Sequence, residues 1–196
     1  MSGLETKRFV LRDFEPADVA ALAAYQADPR FVSARRKAGQ AAGDPAELVA
    51  LFRQWAAENP RKNHQFAVIC RKTGRLVGCA GLRAANCPQD SGELGIELSP
   101  DLWGRYGSAA EIAGALLDFG FAELGLVEIF GDTTAENHQA ARLASFLGAQ
   151  PETVEAAAKQ GEESGSAPVR WRFSHKAWRA RDGSRPGARP KWMSGD

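Results

Sequence analysis

Hydrophobic and polar positions alternate over residues 6–13, with Phe9 and Leu11 on one side of an extended segment, and this two-residue period predicts a short strand. The period then lengthens. Val19, Leu22, Ala23 and Tyr25 recur at helical spacing after Pro16, which suits a first helical position because its missing N–H would have no partner there. The polar, glycine-containing stretch 35–45 predicts a loop, and Leu48, Leu51, Phe52 and Trp55 mark a helix over 46–58 that stops at Asn59-Pro60. Residues 65–71 and 76–83 are apolar runs joined by Lys72-Thr73-Gly74-Arg75, a hairpin whose glycine supplies the positive φ of the turn. A second reversal over 86–92 leads into 93–98, so three consecutive strands form an antiparallel meander.

Downstream, a helix over 108–124 carries Ile112, Ala113, Leu116, Leu117, Phe119 and Phe121 on more than one side, the pattern of a helix covered by both a sheet and its neighbours. Residues 126–133 are rich in β-branched and aromatic side chains and predict a strand; 137–147 predict a helix ended by Gly148. The stretch 152–167 lacks large apolar residues and reads as an extended loop or frayed helix before a last strand over 169–178. Arg, Gly and Pro dominate thereafter, so 181–196 is expected to be a disordered tail. The sum is one α/β (α+β) domain over 1–180, with a mixed, mostly antiparallel sheet flanked by helices and no internal repeat.

Composition narrows the partners. With 25 basic against 24 acidic residues the formal charge is +1, which calls for neither nucleic acid nor a membrane surface. No stretch approaches the ~18 apolar residues of a membrane span, and the start of the chain lacks an apolar signal core. Cys70, Cys79 and Cys87 have no paired close spacing, so disulfides and zinc are not expected and the reducing cytoplasm is the natural compartment. His64, His138 and His175 fall on separate elements without ligand spacing, so no metal is expected; each is read as a surface or core residue, with His138, beside Asn137, alternatively reaching the cleft. Cys70 and Cys79, in strands, are expected to pack as small core residues.

The chemistry concentrates where the third meander strand gives way to a helix. Ser99-Pro100 ends the strand, and Trp103-Gly104-Arg105-Tyr106-Gly107-Ser108-Ala109 opens the helix. Such a junction gathers unpaired backbone N–H groups and the positive end of a helix dipole, which together attract phosphate. Gly104 and Gly107 permit close approach and Arg105 adds charge at the rim. The competing interpretation is a plain strand-to-helix connection. Glu93 and Glu97 lie at alternate positions of the preceding strand and so share a face, where one of them would deprotonate an amine; the alternative is a solvated strand face. Trp103 is expected to flank the turn, and Trp55, Trp171 and Trp178 to pack. Arg35-Arg36-Lys37 reads either as a solvated charge run or as a site for an acidic substrate.

The run Gly95-Ile96-Glu97-Leu98-Ser99-Pro100, then Trp103-Gly104-Arg105, Ala109-Ala110-Glu111, Leu116-Leu117-Asp118-Phe119-Gly120-Phe121, Thr133, Asn137, Leu143 and Leu147-Gly148, resembles the GCN5-related N-acetyltransferases. Within them it looks most like the branch that acetylates the N-termini of ribosomal proteins. The resemblance spans about residues 7–178, including Lys7-Arg8-Phe9-Val10-Leu11-Arg12 and Thr73-Gly74-Arg75-Leu76-Val77-Gly78. It implies that the turn residues Gly104, Arg105, Tyr106, Gly107, Ser108 and Ala109 hold the pyrophosphate of acetyl-CoA. It also implies that backbone groups of Glu97, Leu98 and Ser99 hold the pantetheine arm, and that Asn137 contacts the cosubstrate, although Asn137 equally suits a helix cap. The turn is one residue longer than the commoner Trp-Gly-Arg-Gly-Tyr-Ala form. Ala140 stands where the N-terminal acetyltransferases often have Ser, and Ala144 where other members have a Tyr general acid.

The implied activity is direct acetyl transfer from acetyl-CoA to a primary amine, either a protein N-terminus or a small molecule, and a homodimer is compatible with it. The alternatives are another acyl-CoA, an antibiotic, polyamine or amino-acid acceptor, or a CoA-binding sensor without turnover.

Overall fold

The computed structural model describes residues 3–38, 43–153 and 168–182, so most of the loop expected over 152–167 and the tail beyond residue 182 lie outside the described residues. In chain order the elements are β1 (Leu4–Glu5), β2 (Phe9–Arg12), α1 (Asp18–Gln26), α2 (Pro29–Lys37), α3 (Pro45–Ala57), β3 (Asn63–Cys70), β4 (Leu76–Arg83), β5 (Ser91–Leu98), α4 (Tyr106–Ala122), β6 (Glu128–Thr134), α5 (His138–Phe146), β7 (Gln150–Thr153), β8 (Pro168–Ser174) and α6 (His175–Asp182). The eight strands form one sheet in the order β1-β2-β3-β4-β5-β6-β8-β7, antiparallel throughout except for the parallel β5/β6 pair. The mixed sheet and flanking helices match the architecture expected.

Strand alternation divides the core into two layers. Phe9, Leu11, Phe66, Val68, Ala80 and Leu82 face α4, whose Ile112, Ala113, Leu116 and Leu117 are fully buried against them. The intervening positions Ala67 and Cys79 face α1 and α3 with Leu22, Tyr25, Val49 and Phe52. Burying a large apolar side chain contributes on the order of 1.5–3 kcal/mol, so both layers hold the sheet between the helices. On β5 the same alternation turns Leu94, Ile96 and Leu98 toward the α4 layer and leaves Glu93 and Glu97 on the α1 side.

Most boundaries shift by one or two residues, β1 was not expected, and four further differences change the layout. The first helix begins at Asp18, after a turn that contains Pro16. Residues 35–37 belong to α2, whose N-terminus is set by Asp28 accepting from the Arg30 N–H with Pro29 at the first helical position. β7 forms at the edge of the sheet against β8. Finally, the strand expected over 169–178 ends at Ser174: its hydroxyl accepts from the Ala177 N–H at 3.3 Å and α6 runs on to Asp182, into the stretch expected as tail. Trp178 is held there by its indole N–H donating to Asp118 at 2.7 Å.

Candidate active site

β5 and β6 pair only where Ser91, Gly92 and Glu93 face Glu128, Ile129 and Phe130. Beyond that point β5 continues to Leu98 bonded to β4, while β6 continues to Thr134 bonded to β8. Neighbouring strands that each keep their outer partner and lose each other must diverge, and a gap opens in the middle of the sheet from Leu94 and Gly131 onward.

The register decides which backbone groups face this gap. Ser99 donates its N–H to Val77 at 2.8 Å, across the β4 side. Antiparallel pairs alternate, so Glu97 and Ser99 spend their backbone groups on β4, and the amides of Ile96 and Leu98 point the other way, into the gap. Of the expected Glu97, Leu98 and Ser99, the amide of Leu98 therefore faces the gap, together with that of Ile96, while Glu97 and Ser99 bond β4. The Leu98 carbonyl already accepts from the Trp103 indole at 2.9 Å, which pins Trp103 beside the turn.

At the end of β5 a single 3-10 turn, Pro100–Leu102, leads to Gly104, whose φ of +76° belongs to the left-handed region that glycine tolerates. Arg105 then occupies the N-cap position, and its side chain makes no cap bond to the first N–H groups of α4. Gly107 lies in the first helical turn, where an added Cβ would sit 3.3 Å from Nη2 of Arg8. Arg8 is anchored to α4 by two bonds of 2.7 Å to Glu111, one from its backbone N–H and one from Nε. Ser108 is buried, while Arg105 and Gly107 are exposed.

On the other face of β5, Glu97 accepts two hydrogen bonds at the same oxygen: from the Tyr25 hydroxyl at 2.7 Å and from Nε2 of Gln26 at 3.0 Å. Its Oε2 has no hydrogen-bond partner among the described residues. Burial, with the charges of Cys79 and Glu97, raises the Tyr25 phenol far above its ordinary value, so it stays a donor. Glu93 shares the face, as its spacing requires, yet it is ion-paired to Arg83 at 2.7 Å. Gly95 makes this possible, because a Cβ there would meet the Arg83 guanidinium at 2.9 Å. Four strand positions separate the two glutamates, roughly 13 Å, so they cannot serve one reacting atom together.

The other candidates fall into structural places. Asn137 caps α5, accepting from the Ala140 N–H at 3.1 Å. Ala144 is packed in the α4 layer, so α5 offers no proton donor at that position. Burial pushes the Cys79 thiol up to about 12, which suits a core residue and not a nucleophile. Burial, assisted by Arg61, pushes His64 down to about 4, and its ring packs edge-on to Phe119 at 5.1 Å. His138 is exposed, and His175 stacks on Phe121 at 5.3 Å. Among the described residues no group of three His, Cys, Asp or Glu is placed to hold a metal, and no helix is long and apolar enough to cross a membrane.

A sheet that splits between a parallel central pair, with an uncapped helix N-terminus at the wide end of the split, is the architecture of the acetyltransferases the sequence resembles. The acetyltransferase (GNAT) domain family matches residues 8–150, and the chain belongs to that family. An uncharacterized N-acetyltransferase, p20 of Bacillus licheniformis, is 26% identical over 157 residues, 78% of this chain and 84% of the relative. Among solved structures, the spermidine/spermine N-acetyltransferase SpeG of Vibrio cholerae superposes with a TM-score of 0.67 at 20% identity, over 89% of this chain and 98% of that one. The ribosomal-protein-S5-alanine acetyltransferase of Vibrio fischeri does so with 0.71 at 13% identity, over 90% and 98%. At these identities the structural likeness establishes the fold, and the ribosomal-protein branch is one of several neighbours.

Proposed function

We propose that this protein transfers the acetyl group of acetyl-CoA to a primary amine, with the β5/β6 gap as the site of reaction. The observation that carries this reading is the coincidence, at one end of one gap, of free strand amides and an uncapped helix N-terminus. Acetyl-CoA, when bound, supplies an acetyl group activated as a thioester. The N–H groups of Ile96 and Leu98 are the strand donors available to its arm, and Gly104, Arg105, Tyr106, Gly107, Ser108 and Ala109 form the turn available to its phosphates. An anion fits such a turn through the helix dipole and through backbone donors that glycine leaves accessible.

Glu97 is the better-placed base. Its oxygen Oε1 is fixed by Tyr25 and Gln26, and Oε2 is available to accept a proton from the acceptor nitrogen, directly or through a water. Glu93 would have to leave Arg83 to do the same. Asn137 has committed Oδ1 to the helix cap, so only its amide N–H groups would reach the cosubstrate. The near-zero net charge and unpaired cysteines favour a cytoplasmic small-molecule or peptide acceptor.

Incubation with acetyl-CoA and a panel of amines, read by mass spectrometry of the products, tests the reading. N-acetylated amine and free CoA in equal amounts are expected. Tight CoA binding with no product from any amine would instead make the protein a binding module, and a product acylated only from other acyl donors would remove acetyl-CoA.

A further inference from the structure

We propose that the amine acceptor carries a carboxylate, and that Arg35 binds this carboxylate in the cavity enclosed by α1, α2 and the start of α3; the inference rests on the acetyltransferase reading above. The cavity measures about 390 Å³, the size of small-molecule sites. Ala23, Val32 and Pro45 give it apolar walls, and its polar lining comes from Gln26, Arg35 and Arg36. Among the described residues it has two guanidinium groups and no acid.

Arg35 differs from the arginines that hold the fold together by ion pairs. Arg12, Arg30, Arg61, Arg83, Arg170 and Arg172 all pair with carboxylates. Arg35 instead lies over the ring of Phe31 at 5.6 Å, and its Nε is buried with no hydrogen-bond partner. Cations in the last turn of a helix complement its dipole, which accounts for exposed Arg36 and Lys37 but leaves the buried donor of Arg35 unanswered. Because Nε is closed to solvent, a carboxylate in the cavity pairs with the Nη edge of this guanidinium, which no acid among the described residues occupies.

The cavity is also coupled to the reaction site. Gln26 lines it and donates to Glu97 at 3.0 Å. Phe31, beneath Arg35, meets Tyr25 edge-on at 5.5 Å and approaches Trp103 of the cofactor turn at 6.4 Å. A short amino acid that reaches Oε2 of Glu97 with its amine and Arg35 with its carboxylate spans this arrangement, whereas a polyamine would set a second cation against two arginines.

The test compares ω-amino acids of increasing chain length with the matching alkylamines and with spermidine. For the best chain length, kcat/KM is expected to exceed that of the matching alkylamine at least about tenfold. Arg35→Gln should collapse this ratio chiefly through KM, Arg35→Lys should restore part of it, and Lys37→Gln, outside the cavity, should leave it intact. Saturation-transfer NMR with the amino acid, without acetyl-CoA, should show contact with wild type that Arg35→Gln loses while its thermal melt stays cooperative. A wild-type ratio near one, a preference for spermidine, or a ratio and NMR contact unchanged by Arg35→Gln would overturn the inference. Absence of acetyl-CoA binding in calorimetry would instead overturn the acetyltransferase reading, and the NMR contact would still decide the carboxylate site.

Discussion

Tyr25 donates its hydroxyl to Glu97 across 2.7 Å although 72 positions separate the two residues in the chain. The bond ties α1 to the strand that borders the gap, and it fixes one carboxylate oxygen while the other has no hydrogen-bond partner among the described residues. In the proposed role of base, a carboxylate held in this way loses little freedom on reaction, which is how a positioned group gains over the same group in solution.

Glu97→Gln keeps the shape and the hydrogen bond from Tyr25 but removes the proton acceptor. Acetyl transfer at neutral pH is expected to fall by about 10²-fold or more, with acetyl-CoA affinity within about twofold of wild type in calorimetry. Glu93→Gln, which breaks only the ion pair with Arg83, is expected to reduce the rate far less. Equal rates for wild type and Glu97→Gln would remove Glu97 from the chemistry.

Gly107→Glu places a negative charge in the first turn of α4, beside Arg8. Calorimetry is expected to show acetyl-CoA affinity weakened by a factor of about 10² or more, because the new carboxylate would repel the phosphates proposed to sit there and occupy the positive helix end in their place. Affinity equal to wild type would place the phosphates elsewhere.

Much of the fold was legible in the chain because local chemistry and the two-residue period agree. The β3/β4 hairpin turns at Gly74, whose φ is +68°, as the sequence requires. Phe9 and Leu11 alternate into the core as read. α2 was not legible, because Phe31 is its one buried residue and no apolar face announces it; the Asp28-Pro29 start was the available signal. The strand expected over 169–178 overran into α6 because Val169, Trp171 and Phe173 alternate as a strand does and aromatic Trp178 follows, while the Ser174 cap and the Trp178–Asp118 bond choose a helix. At the site, the face of Glu93 and Glu97 followed from spacing alone. Their different partners did not, since Tyr25, Gln26 and Arg83 meet them only in the folded sheet.

Acid stability gives a test of the framework around α1. Burial works to raise the Asp18 carboxyl, but the Arg12 hydrogen bonds, the Glu15 N–H and the Arg12 charge outweigh it and hold Asp18 below its ordinary value. A depressed carboxyl contributes stability above its unfolded pKa of about 3.9, and that contribution fades as pH falls through the lower folded value. Asp18→Asn is therefore expected to cost about 1–3 kcal/mol in urea unfolding at pH 7, with the difference from wild type shrinking below about pH 4. A difference independent of pH would contradict the assignment.

His64 predicts a separate slope. Its folded value of about 4 lies below the ordinary 6.5, so the unfolded chain binds the proton first and stability declines as pH falls from 6.5 toward 4. The slope for one such group is at most about 1.4 kcal/mol per pH unit. His64→Gln is expected to flatten the unfolding free energy across this window, whatever its effect on stability at pH 7; an unchanged slope would mean that His64 does not titrate there.

The most direct measurement is a crystal structure with acetyl-CoA bound. The account predicts the arm between Leu94–Leu98 of β5 and the diverging end of β6, hydrogen-bonded to the amides of Ile96 and Leu98, with the phosphates on the first turn of α4 beside Gly107. Density for the arm outside this gap, or phosphates bound away from α4, would contradict it.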